Sequence, residues 1–114
     1  MPNISVDAEF NVDGEADTAW GLAKIQCRGR DAKDIVWLHD AKISGREAAG
    51  CRRRFDDGHI EVTCIVLRKT GGDPSDGIEI GADLITTPAR YAADMRIFRR
   101  VLPGIRVHPD SPQG

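Results

Sequence analysis

Arg52, Arg53 and Arg54 stand in a row between Cys51 and Phe55, in a stretch whose pattern reads as a strand. Side chains on a strand alternate faces. If Cys51 and Phe55 face the core, Arg53 faces it with them, while Arg52 and Arg54 face outward. An inward guanidinium in a domain this small must be paired, or must line a wet or ligand-filled cavity, because an isolated buried charge is prohibitively costly. The chemistry on offer is that of a permanent forked cation, suited to carboxylate or phosphate oxygens. Two readings stay open: Arg53 anchors a ligand, or it bonds a structural carboxylate. A register slip of one residue would exchange the faces and make Arg52 and Arg54 the inward pair.

Other chemistry-bearing residues have plainer readings. His59 directly follows the Asp56-Asp57-Gly58 turn, which predicts an exposed turn histidine and not a catalytic base. Asp56 and Asp57 read as turn formers. Cys27, Cys51 and Cys64 are odd in number and lack a close pair, so three free thiols are expected, not a disulfide framework. Cys51 and Cys64 occupy apolar strand positions, where cysteine behaves as a small buried hydrophobe. A zinc site from Cys51, His59 and Cys64 would lack any C-x-x-C pair, and no metal is expected. G-x-S-x-G, Walker, G-x-G-x-x-G and H-E-x-x-H motifs do not occur, so no cofactor is expected either.

The elements that must position these residues come from a chain of 114 residues, enough for one domain with one core. The expected domain covers residues 1–106, with 107–114 as a disordered tail. Charged residues make up 30% and hydrophobic ones 40%, a balance that argues against disorder. No apolar run reaches the length of a membrane helix, and the first residues lack the basic head and apolar middle of a signal peptide. A cytoplasmic protein is the expectation. The net charge is −2, and although twelve of the 16 basic residues are arginine, the surplus beyond residue 20 is too small to predict nucleic-acid binding.

Ile4, Val6, Ala8 and Phe10 alternate as a half-buried strand. A short helix over Glu15–Lys24 follows, capped by Asp13, with Ala16, Trp20, Ala23 and Cys27 at helical spacing. Ile35–Leu38 is a strand that runs toward a more exposed end at Lys42–Gly45, and Gly45–Gly50 is a turn region. Cys51–Phe55 and Ile60–Lys69 form a hairpin through Asp-Gly. In its second arm Ile60, Val62, Cys64 and Val66 point one way, and Glu61, Thr63, Ile65 and Leu67 the other. Gly71–Gly77 is a loop, and Ile78–Leu84 a further strand. Thr87 and Pro88 open a last helix, along which Tyr91, Met95, Phe98 and Leu102 make one apolar stripe.

This order of elements resembles the helix-grip superfamily of START and birch-pollen-allergen-like domains, especially its polyketide cyclase/dehydrase branch. The resemblance is carried by Ile4–Leu22, with Trp20 in the matching place, and by the hairpin in which Gly50, Arg53 and Gly58 match. The helix Pro88–Leu102 resembles the long C-terminal helix that grips the cavity in that family. The resemblance implies an α+β fold, an antiparallel sheet wrapped around the C-terminal helix, here reduced to a single strand between Leu67 and Thr87. It also implies a cavity with Arg53 as polar anchor and Trp37, Cys64 and Tyr91 on its wall.

Two functions are therefore expected. The first is a binding protein for a small apolar, polyketide- or lipid-like ligand, or a cofactor-free cyclase or dehydratase on such a substrate. The second is a non-enzymatic, homodimeric module whose arginine clusters contact an acidic or phosphate-bearing partner.

Overall fold

The structure, a computed structural model, describes residues 3–10, 18–28, 32–69 and 77–105. The expected cap at Asp13, most of the loop Gly71–Gly77 and the tail at 107–114 lie outside the described residues. Strands β1 (Asn3–Phe10), β2 (Ala32–Leu38), β5 (Ala49–Phe55), β6 (Ile60–Lys69) and β7 (Gly77–Thr86) form one sheet in the order β1-β7-β6-β5-β2. Every neighbouring pair is antiparallel. With helices α1 (Ala19–Gln26) and α2 (Tyr91–Val101), the architecture is α+β, an antiparallel sheet followed by a C-terminal helix, as expected.

The hairpin at Asp56-Asp57-Gly58 joins β5 to β6. Gly58 takes φ +90, a backbone conformation that side chains with a Cβ rarely adopt. Its N–H bonds to Phe55 O at 2.9 Å, and Phe55 N to His59 O at 3.0 Å closes the turn. From that fixed end the alternation along β6 runs as anticipated. Ile60, Val62, Cys64 and Val66 meet Ile80, Ala82 and Leu84 of β7 beneath the α2 stripe of Met95, Phe98 and Leu102. Tyr91 packs against this core from the first position of α2.

The opposite face is covered too. Leu22, Ala23 and Cys27 of α1 and its C-cap pack on Ala49, Cys51 and Ile65. The sheet is therefore not only wrapped on the C-terminal helix, as expected, but sandwiched between two helices, α2 on one face and α1 on the other. β6, buried on both faces at its centre, accordingly carries the nearly unbroken apolar run Val62–Leu67.

Local differences have local causes. α1 starts at Ala19 because Thr18, extended and just ahead of it, accepts the Gly21 N–H on its hydroxyl at 3.0 Å. α2 starts at Tyr91, three residues past Pro88, after a turn in which Arg90 N bonds to Thr87 O at 3.1 Å. Lys42–Gly50 is neither an exposed end nor a simple turn. Ser44 and Gly45, both with positive φ, close the small hairpin of β3 (Lys42–Ile43) and β4 (Arg46–Glu47). Ser44 N bonds to Leu102 O at 3.2 Å, and Ile43 is buried in the α2 core, so this hairpin closes one end of the layer.

The free-thiol expectation is corrected. Cys27 and Cys51 form a disulfide across 24 residues, tying the end of α1 to the middle of β5. Only Cys64 remains a free, buried thiol among the described residues.

Candidate binding site

β5 distributes its three arginines by strand alternation. Arg53 shares the α1 face with Cys51 and Phe55, whereas Arg52 and Arg54 share the α2 face. Arg53 therefore points inward as the alternation requires, with its side chain only 12% exposed. What it meets there is protein. Its Nη2 donates to Glu61 Oε1 and to Thr63 Oγ1, both at 3.3 Å, and its Nη1 donates to Gln26 O at 3.3 Å. Its guanidinium also lies 5.6 Å from the Phe55 ring centroid. Only the buried Nε lacks a partner. The structural-carboxylate reading describes this arrangement: Arg53 fastens the C-terminal end of α1 to the sheet.

The network extends along the same face. Glu61 stands directly opposite Arg53 across β5 and β6 and also holds His59 Nε2 at 2.9 Å. His59 Nδ1 contacts Asp57, whose carboxylate also accepts the His59 backbone N–H at 2.9 Å. Glu61 first and Asp57 second raise the His59 pKa above its ordinary value. The His59 N–H groups, backbone and then ring, in turn lower that of Asp57. With both ring nitrogens held by carboxylates, which favour its protonated form, and the ring stacked on Phe55 at 4.4 Å, His59 is a clasp on the hairpin and has no nitrogen free to act as a base. Further in, Thr63 donates its hydroxyl to Asp83 at 2.6 Å, and burial raises the Asp83 pKa in spite of that bond.

The four residues named as cavity candidates divide between the two faces. Trp37 lies on the α1 face with Arg53: it stands opposite Cys51 and meets Trp20 edge-on at 6.2 Å. Those two rings, with Lys24 and His39, line a cleft of ≈ 310 Å³. Cys64 and Tyr91 lie on the α2 face. Burial pushes the Cys64 thiol up to about 12, which leaves it protonated and inert. It is packed against Gly50, where an added Cβ would stand 3.2 Å from its sulfur and 3.1 Å from Thr63 O. Cys51, His59 and Cys64 do not converge, since Cys51 is bonded to Cys27 and Cys64 is on the other face.

Tyr91 is different. At the N-terminal end of α2 it lines a cleft of ≈ 280 Å³ with Asp34, Arg52, Arg54, Ile60 and Pro88. The Arg52 guanidinium lies over the Tyr91 ring, 5.3 Å from its centroid. Arg54 holds Asp34 at 2.7 Å across to β2. The cleft thus has two permanent cations, one carboxylate already engaged, an aromatic face and two apolar walls. Below it, Asp94 is buried and accepts the Thr86 hydroxyl at 2.7 Å, which anchors the first turn of α2 to the end of β7. Sequence reasoning named Tyr91 and turned Arg52 and Arg54 outward; Arg54 is indeed exposed, whereas Arg52 is half-covered by the Tyr91 ring. Their alternation with Arg53 was legible; the helix that covers their face near Ile60 was not.

Compared with protein-family models, curated proteins and solved structures, the chain matches none.

Proposed function

We propose that the chain is a small-molecule binding domain whose ligand joins an anionic group to a flat apolar part, seated between Arg52, Arg54 and Tyr91. The observation that carries this reading is the pair of guanidinium groups from one strand lining one cleft, one of them lying on an aromatic ring. Arginine at such a site offers a planar fork to carboxylate or phosphate, and Tyr91, Ile60 and Pro88 offer apolar contact. At ≈ 280 Å³ the cleft is at the small end of ligand sites, so the ligand is of one or two rings and not a long lipid. The helix-grip likeness supports the same region, since that family holds ligands between the sheet and the C-terminal helix. Here the space beneath the helix is filled by Phe98, Met95, Val62 and Leu84, which leaves the end of the helix as the place to bind.

The reading is binding and not catalysis. Two fixed cations and a carboxylate paired with Arg54 supply no acid and base poised at neighbouring positions. The disulfide also moves the compartment in this reading from the cytoplasm to an oxidising one, where such bonds persist. Isothermal titration with 1-naphthyl phosphate tests it. Binding by the intact chain should fall on the order of 10-fold or more in Arg52→Ala, the loss of one charge-assisted hydrogen bond. Equal affinity in the variant would refute it.

A further inference from the structure

β2 is the last strand on its side of the sheet, and no strand among the described residues pairs with its outer edge. Three consecutive apolar side chains on it stay open to solvent: Ile35 at 37%, Val36 at 40% and Trp37 at 36%. Successive residues alternate, so this apolar surface covers both faces of the edge. Proteins ordinarily blunt an edge with charges, proline or a bulge. β2 has a bulge between Ala32 and Asp34, and the charges Lys33 and Asp34, all at its start. Ile35–Leu38 has no such device.

We propose that this edge is a homotypic interface, on which two copies pair antiparallel about a twofold axis at Val36 to make one continuous sheet. The strand complements itself in that register. Val36 faces the partner's Val36, Ile35 faces the partner's Trp37 and Trp37 the partner's Ile35, so the three exposed apolar positions meet one another on both faces, and Asp34 against the partner's Leu38 is the one charge set against an apolar residue. Centring the axis on Ile35 instead sets Asp34 against the partner's Val36 and Lys33 against the partner's Trp37. Centring it on Asp34 sets two carboxylates face to face, which is destabilising.

The other edge fits less well. β1 carries Asp7 and Glu9 on one face and no basic residue, so a second β1 paired about Asp7 or Ala8 brings like charges together. Pairing β1 of one copy with β2 of the next leaves an edge of each kind free and runs on as an open filament, whereas the β2 twofold closes. The twofold also sets Asp34, part of the arginine cleft, against the partner's Leu38, and so places the two clefts on the same side of the joined sheet.

Sedimentation of the full chain with its disulfide intact tests this directly. A species of twice the 12.5 kDa chain mass is expected, dissociating on dilution. Val36→Lys places two ammonium groups together at the axis and should weaken the dimer on the order of 100-fold or more, with an unchanged circular dichroism spectrum. Val36→Cys should crosslink two copies on oxidation, because its partner is itself, while Cys64 is buried and unavailable. A chain that stays monomeric at every concentration would overturn the proposal. So would a Val36→Lys dimer as tight as the original, or a dimer that crosslinks through Val6→Cys and not through Val36→Cys.

Discussion

Arg52 lies over the ring of Tyr91 with 5.3 Å between guanidinium carbon and ring centroid, a contact between the middle of β5 and the first residue of α2. It fixes the orientation of a half-buried guanidinium without consuming its N–H donors in protein hydrogen bonds to a carboxylate. A cation–π contact at such a partly exposed site contributes about 0.5–1 kcal/mol to stability. Tyr91→Phe should therefore melt like the original and keep most of its affinity for 1-naphthyl phosphate. Tyr91→Ala should lose affinity about 10-fold while losing stability modestly. If both variants bind alike, the ring plays no part in binding.

Arg53 is predicted to act on stability and not on ligand affinity. Arg53→Ala removes the partner of Glu61 and of Thr63 Oγ1 in a part-buried setting, with an expected loss of about 2 kcal/mol in urea unfolding. Combining it with Glu61→Ala should cost less than the two single changes added together, since the orphaned carboxylate goes too. Strict additivity would mean that the pair does not interact.

The Cys27–Cys51 bridge closes a loop of 24 residues, for which loop-closure entropy gives about 3.5 kcal/mol. Reduction, or the double change Cys27→Ala and Cys51→Ala, should lower the melting temperature by roughly 10–20 °C. Labelling of native protein should find no reactive thiol, because Cys64 is buried and its pKa lies at about 12. A melting point indifferent to reductant would contradict the bridge.

The His59 clasp makes stability depend on pH with a definite sign. Its folded pKa lies above the unfolded value of about 6.5. Its contribution is therefore fully present below that value and is lost as pH rises through the folded pKa. Asp57 works in the other direction: its folded pKa is lowered, so its contribution holds above about 3.8 and is lost as pH falls through the folded value. His59→Gln should flatten the alkaline-side decline. An NMR titration of the His59 ring with a midpoint at or below the ordinary imidazole value would contradict the clasp.

Much of this was legible in the residues. The alternation of β6, the Asp-Gly turn, the inward aim of Arg53 and the α2 stripe all follow from periods of two and 3.6. The rest depended on contacts that periodicity does not carry. An eight-residue helix shows an apolar side but not which face of the sheet it will cover, so α1 on the face opposite α2 was missed. With α1 misplaced, the approach of Cys27 to Cys51 was invisible, and three cysteines read as three thiols. Strands of two residues, such as β3 and β4, are too short to show any period. The arginine cleft was missed for a related reason: the first residue of α2, Tyr91, reaches over Arg52 and half-covers it, while Arg54 stays more than half exposed beside it.

Chemical-shift mapping with 1-naphthyl phosphate on isotope-labelled protein tests the binding claim most directly. Saturable shifts are expected at Arg52, Arg54, Ile60 and Tyr91, with little change at Trp20, Trp37 and His39. Shifts confined to the tryptophan cleft, or none that saturate, would contradict it.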